Sequence, residues 1–210
     1  QYRGLDQQTH RAEGFVNYTT FSLWDTFRAL HPLFNLIQPS RNADMVQSML
    51  AHYDQSAEHM LPVWSHHANE NWCMSGYHST SVVADAVLNG TVAPAQAERA
   101  LAACVVTARH RWYDGLADYI DHGYVPNERS GTSVSTTLEF AYDDWCIAQL
   151  AQKLGHADIY QEFSKRATNW QNVFDARINY MRPRLADGTF RPKFDVLSTN
   201  NQGFIEGNAW

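Results

Sequence analysis

Three cysteines, Cys73, Cys104 and Cys146, are all that the 210 residues contain, and no two of them form a CxxC pair. That spacing argues against both a zinc knuckle and a disulfide framework, and an odd number leaves at least one thiol free or paired elsewhere. No cluster of Lys and Arg occurs; 16 basic and 22 acidic residues give a net charge of −6. A generic nucleic-acid or anionic-membrane binder would carry a basic face, so neither is an expected partner. No apolar run approaches the roughly 20 residues of a membrane span. No leader pattern opens the chain and no Met precedes Gln1, so a processed or cut start is expected. Strand-like alternation never extends beyond about four residues. Self-similarity at the ~34- or ~40-residue periods of helical repeats is also lacking, which argues against a regular solenoid.

What is present is a folded composition, 44% hydrophobic and 18% charged, with seven Trp. Six segments read as helices. In FSLWDTFRALHPLF, Leu23, Phe27, Leu30 and Phe34 form one helical stripe. RNADMVQSMLAHYDQS repeats the pattern through Met45, Met49 and Tyr53. STSVVADAVLNG runs from a Ser79 cap to Gly90, and APAQAERALAACVVTARH opens on Pro94, a good first-turn residue. SVSTTLEFAYDDWCIAQLAQKLG offers Thr136 and Glu139 as a capping box and stops at Gly155. HADIYQEFSKRATNWQNVF is the sixth. Six such segments with alternating short and long links suggest stacked helix pairs, as in bundles and (α/α) toroids. Two links are long, about Leu61 to His78 and from Ala176 onward, and such loops are usually functional or disordered. Their aromatic, Asn, His and Gly content favours function.

Four places hold the candidate chemistry. The helix around Phe140, Ile147 and Leu154 is apolar nearly all round yet carries Asp143 and Asp144, with Glu139 one turn earlier. Buried carboxylates need partners, so this is either a structural network or an acidic pocket wall. In SLWDTFR, helical spacing lets Arg28 pair with Asp25 and stack on Trp24. This is either an exposed ion pair beside a packed Trp or a sugar-binding corner. WSHHANENWCMSGYHS gathers His66, His67, Glu70, Cys73 and His78, which suits a ligand-lining loop better than a zinc site. Last, GFIEGNAW sets Glu206 between Gly203 and Gly207, with Phe204 and Trp210 placed to surround its carboxylate. Asn208 adds an amide oxygen suited to a hard cation or a hydroxyl. The bland reading of this stretch is a Gly-Asn turn with a solvated Glu.

Taken in order, YTTFSLWDTFRALHPL, NENWCMSGYHS with VVADA, GYVPNE, SVSTTLEFAYDDWCIAQLA, MRPRLADGTF and FIEGNAW resemble glycoside hydrolase family 92, the calcium-dependent exo-α-mannosidases. The similarity extends over nearly all 210 residues. It implies a mainly α fold, with residues 1–210 forming part of an (α/α)6 toroid of helical hairpins with long active-site loops. In the full-length chain an N-terminal β-sandwich would precede it and the rest of the toroid would follow.

The resemblance also implies an inverting hydrolase of mannose-rich glycans. The family's general acid matches Glu206. The Asp of its LWDT motif, here Asp25, contacts the terminal mannose with Trp24 beside it, and the stretch around Glu70 and Cys73 faces the sugar. Calcium would bind the mannose O2 and O3, with Asn208 as a ligand directly or through water. The family's base carboxylates lie beyond EGNAW, so residues 1–210 are expected to be an excerpt that is inactive alone. The substrate class implies a secreted, periplasmic or cell-surface location. Two alternatives stay open: a helical-toroid glycosidase of glucoamylase type without calcium, and a sugar-binding helical domain without catalysis.

Overall fold

The computed structural model describes residues 1–199 and 202–210. Its chain runs β1 (Tyr2–Arg3), β2 (Thr9–His10), β3 (Phe21–Ser22), α1 (Leu23–Thr26), α2 (Leu30–Ile37) and α3 (Pro39–Gln55). Next come β4 (Trp64–His66), β5 (Asn69–Glu70), α4 (Ser79–Leu88), α5 (Pro94–Thr107) and α6 (Leu116–His122). The remainder is α7 (Ser133–Leu154), α8 (Ala157–Arg166), a 3₁₀ segment Ala167–Val173, β6 (Phe174–Asp175) and β7 (Tyr180–Met181). Helices successive in sequence pack together as α2 with α3, α4 with α5 and α7 with α8. This is the hairpin-upon-hairpin arrangement expected of part of an (α/α)6 toroid.

The long helix α7, 22 residues and so about 33 Å, is the spine. It touches α4, α5, α8 and the 3₁₀ segment. Phe140, Ile147, Ala148, Leu150 and Ala151 carry its buried side into a core shared with Leu23, Met49, Leu50, Val83, Leu101 and Phe163. Its end follows the expected glycine. Gly155 takes φ 84°; its N–H bonds Gln152 O, and His156 N–H bonds Ala151 O. That pairing closes the last carbonyls in a Schellman turn. The start differs from expectation: the helix begins at Ser133, so Thr136 lies inside the first turn rather than at a capping box.

Two further differences have plain causes. The segment 21–34 is two helices, not one, because Pro32 has no N–H to bond the carbonyl of Arg28 and its ring would strike it. The stripe through it is broken accordingly: Leu23 is buried and Leu30 exposed. The unforeseen helix α6 lies between Gly115 and Gly123, both left-handed, and buries Leu116 and Tyr119. The final segment tightens from α8 into the 3₁₀ turn instead of remaining α-helical.

The loop 61–78 is partly ordered as a hairpin. β4 pairs with β5 and also with β3, giving the order β3-β4-β5. The two-residue turn between β4 and β5 places His67 and Ala68 at positive φ, 48° and 57°. That is the type I′ geometry that matches the strand twist, here without the usual Asn-Gly.

Candidate active site

The site is built along α7 from both ends of the chain. At its N-terminus the first orphan donors need acceptors. Val134 N–H and Ser135 N–H both donate to Gly203 O, at 2.8 and 2.9 Å. Ser135 Oγ accepts Ile205 N–H at 3.0 Å. Gly203 sits at φ +94°, and a Cβ there would strike Val134 and Pro183, so only glycine allows the approach. Phe204 packs beside Tyr124, Val134 and Val173. The segment is therefore riveted on both sides of Phe204, at Gly203 and at Ile205 N–H, and the next residue is Glu206. Its side chain is exposed and its backbone is left-handed, φ 47°. A non-glycine residue held there stores strain, of the kind found at functional sites.

One turn further along the same face of α7, about 6 Å from Ser135, is Glu139. Its Oε1 accepts the Trp24 indole N–H at 3.0 Å and lies 3.5 Å from Arg28. The Arg28 guanidinium stands 4.8 Å over the Trp24 ring and 4.8 Å over the Phe27 ring. The expected stacking of Arg28 on Trp24 is thus present, but Arg28 pairs with Glu139 rather than with Asp25. Asp25 is exposed and accepts a short hydrogen bond from Ser22 Oγ. Trp24, through Glu139, and the Glu206 segment, through Ser135, are accordingly hung from neighbouring turns of one helix face, with Asp25 next to Trp24 in the chain.

Beneath Glu139 lies His78, fully buried. Its Nδ1 is 2.9 Å from Asp143 Oδ1, and its Nε2 is 3.2 Å from Glu139 Oε2. The second contact is an ion pair rather than an aligned hydrogen bond, since Nε2 has no well-directed acceptor. Burial opposes charge on the imidazole, yet Asp143 and Glu139 outweigh it and push the pKa up to about 9. Burial raises Glu139 too, but His78, Trp24 and Arg28 hold it below the usual range.

Asp144 points the other way. It accepts Tyr77 OH at 2.7 Å, Tyr119 OH at 2.8 Å and Arg166 Nε at 2.9 Å. Burial pushes its pKa up to about 6 against those three donors, so it is ionised at neutral pH. Of the two open readings for the paired carboxylates, Asp144 follows the structural one. Asp143, through His78, reaches the wall beneath Trp24.

Glu70 is engaged by the backbone. Its two oxygens accept N–H bonds from Val63, Trp64, Asn71 and Trp72 at 2.8 to 3.0 Å. Burial raises its pKa while these donors pull it back. His52 Nε2 is 3.8 Å away, and burial lowers that imidazole to about 4, which leaves it neutral. Glu70 thus ties β4 to the loop that follows β5, and β4 in turn carries β3 and the Trp24–Asp25 turn. Cys73 is exposed, its backbone N–H held by Asn71 Oδ1 at 2.9 Å. Trp72 and Met74 on either side of it have positive φ.

At the end of the chain Asn208 Oδ1 accepts Trp210 N–H at 3.0 Å, and Asn208 Nδ2 donates to Leu197 O at 3.3 Å. Trp210 is 82% exposed and Phe204 turns into the interior, so the expected aromatic jacket around Glu206 is not formed by these two. Among the described residues no three His, Cys, Asp or Glu side chains gather as a metal site. A calcium ion takes 6–8 oxygens, and the single amide oxygen of Asn208 does not make such a cage. No helix is long and apolar enough to cross a membrane among the described residues.

Several solved structures share this fold. A family GH92 α-mannosidase from Bacteroides thetaiotaomicron superposes with a TM-score of 0.93 at 50% identity, covering 98% of this chain and 27% of that one. The same enzyme in complex with mannoimidazole matches at 0.89 and 52% identity, covering 93% and 26%. A second GH92 inverting mannosidase from Bacteroides thetaiotaomicron matches at 0.85 and 34% identity, covering 93% and 27%. Among curated proteins, an uncharacterized secreted glycosidase of Arthroderma benhamiae is 28% identical over 110 residues, 43% of this chain and 14% of that protein. The chain thus spans about a quarter of the length of the structures it matches. The model of the glycosyl hydrolase family 92 catalytic domain matches residues 1–210 throughout, and on that ground, with the shared fold beneath it, this chain belongs to glycosyl hydrolase family 92.

Proposed function

We propose that the protein is an inverting exo-α-mannosidase that releases terminal mannose from mannose-rich glycans, with Glu206 as general acid. The observation that carries this reading is the mounting of Ile205 on Ser135 Oγ, one turn of α7 from the carboxylate that holds the Trp24 indole. An exposed carboxyl on a rigid mount and an indole with an adjacent carboxylate, Asp25, then approach one sugar from neighbouring positions. Trp24 offers the apolar sugar face a platform, and Asp25 accepts hydroxyl donors of the terminal mannose. Glu206 gives its proton to the glycosidic oxygen as the bond to the anomeric carbon breaks. A base supplied from outside residues 1–210, its carboxylate roughly 6.5–9.5 Å from the acid, takes a proton from a water on the opposite ring face as the water oxygen bonds to the anomeric carbon. Cys73 lies on the loop that Glu70 secures and belongs to the sugar-facing rim. Support comes from the family, and from neighbours described as α-mannosidases, one as inverting and one as a mannoimidazole complex. An N-terminal β-sandwich in the same full-length chain, and a secreted, periplasmic or cell-surface location, complete the proposal.

Proton NMR of the anomeric signals tests the outcome in the full chain. β-Mannose should appear first from an aryl α-mannoside and then mutarotate. If α-mannose appeared first, inversion would be wrong. Tight mannoside binding without any hydrolysis would favour a sugar-binding domain instead.

Calcium belongs to the same proposal, its ligands coming mostly from beyond residues 1–210 and Asn208 contributing directly or through water. When bound, such an ion acts as a Lewis acid and template on sugar hydroxyls. Exhaustive chelation should abolish mannosidase activity, and added calcium should restore it. Full activity after chelation would instead point to a calcium-free glycosidase.

A further inference from the structure

His78 is a buried ionisable group that lies against Glu139, the carboxylate holding the Trp24 indole, without itself touching that indole's N–H. The fold is shaped around its ring. Phe27 lies flat against it, with centroids 3.9 Å apart and planes 7° apart. Gly76 sits at φ +85°, where a Cβ would collide with the imidazole. The short segment before it is sewn to α7: Tyr77 N–H donates to Asp143 Oδ2 at 2.8 Å, Tyr77 OH to Asp144 Oδ1 at 2.7 Å. Tyr113 OH donates to Gly76 O at 2.8 Å. A ring so fixed presents Nδ1 to Asp143 and Nε2 to Glu139, and nothing else.

We infer that His78 is a positioning residue of the proposed mannose site: clamped between Asp143 and Glu139, it holds the Glu139 carboxylate and, through it, the Trp24 indole and the Arg28 guanidinium. The inference rests on the reading of Trp24 and Asp25 as contacts of the terminal mannose. Without a cation beneath it, Glu139 would be free to turn toward Arg28, which is half exposed. The indole N–H would then lose its acceptor, and the platform its orientation. Substrate binding would suffer first, because Glu206 is mounted separately through Gly203 and Ser135.

The charge state follows from what surrounds the ring. From α7 come Asp143, Glu139 and the phenol of Tyr142, whose dissociation burial pushes up; from the link after α1 comes Arg28. Cys104 of α5, near Asp143, is a neutral thiol with its dissociation pushed up to about 12 by burial. Two carboxylates thus face His78 and Arg28, and the cluster is balanced only while the imidazole is protonated. Because the pKa is raised, to about 9, that balance holds through neutral pH and fails as the pH climbs past 9.

Steady-state kinetics of the full chain on an aryl α-mannoside tests this. His78→Gln should raise KM about tenfold and change kcat less than about threefold. Trp24→Phe, which deletes the indole donor, should raise KM by itself, and adding His78→Gln to it should raise KM little more. Wild-type KM should rise above about pH 9, and the His78→Gln variant should lack that limb. If His78→Gln folds poorly, Glu139→Gln gives the same test, with the same expected KM rise and the same lack of additivity with Trp24→Phe. A wild-type KM for His78→Gln or Glu139→Gln, alongside a raised KM for Trp24→Phe, overturns the inference and leaves the proposed function standing. Wild-type KM for Trp24→Phe and Asp25→Asn together overturns both.

Discussion

Glu206→Gln in the full chain is expected to lower kcat for an alkyl or disaccharide α-mannoside by about 10²- to 10⁴-fold, the usual contribution of a positioned general acid. The same variant should hydrolyse a dinitrophenyl α-mannoside within about tenfold of the wild-type rate. The contrast is the diagnostic. A poor leaving group departs as an alkoxide unless it is protonated, and glutamine has no proton to give. Dinitrophenolate is stable as an anion and departs without help. KM should move little, because the substitution keeps the side-chain shape and the bonds at Gly203 and Ile205 N–H hold the backbone leading into Glu206. The left-handed backbone at Glu206 supports the same separation. Its strain is imposed by the mount, not by the carboxylate, so glutamine should adopt it equally. A wild-type rate on the disaccharide would remove Glu206 from the acid role. An equal loss on both substrates would mean that the substitution had disturbed the site rather than the proton transfer.

How much of this was legible in the sequence depends on whether a contact is local. The apolar stripe of α7, its Gly155 stop and the Pro94 start of α5 all obey short-range rules, and the structure has them. The break before α2 was legible in principle, since Pro32 forbids a continuous helix back to Leu23. The reading of 21–34 as one helix gave the apolar spacing more weight than the missing N–H. Side-chain partners across long separations were not legible. Arg28 fits Asp25 at helical spacing, but the chain turns after Thr26, and Glu139, 111 positions away, takes the guanidinium instead. That four backbone N–H donors converge on Glu70 was not legible either, because such bonds leave no trace in a sequence. His78 stood among other histidines with nothing to mark it. Only Gly76, two residues earlier, carries a signal of its ring, and a lone glycine has many explanations. The motif FIEGNAW raised the question of Glu206. How the segment before Glu206 is mounted lies in Gly203 at the α7 N-terminus, a pairing that follows from the fold rather than from the motif.

Asp144→Ala is the substitution expected to cost the most stability. It removes the carboxylate that Arg166, mostly buried, and the hydroxyls of Tyr77 and Tyr119 share, leaving Tyr119 OH only Arg166 O at 2.9 Å and Tyr77 OH only Phe140 O at 3.4 Å. Stripping one partner from a buried pair costs about 3–5 kcal/mol, because the remaining charge stays desolvated. In the full chain, of which residues 1–210 are part of one toroid in the proposed reading, that is a fall of a few °C in Tm. The three donors reach Asp144 from the segment before α4, from α6 and from the end of α8, so the loss would loosen three elements at once. Arg166 also lies 4.7 Å over the Phe163 ring, donates to Ala108 O at 2.9 Å and has Glu162, partly exposed, at 3.8 Å, so these contacts would remain to hold the cation in place. Replacing both partners, Asp144→Leu with Arg166→Met, should recover a substantial part of the loss, since apolar groups of similar size leave no buried charge behind. Thermal unfolding of the full chain, followed by circular dichroism, separates the cases. If the double variant melts no higher than Asp144→Ala, the cost lies in packing or in the weakened tyrosine hydroxyl bonds rather than in the ion pair. If Asp144→Ala melts with the wild type, Asp144 is not the keystone between α7 and its neighbours that its three donors imply.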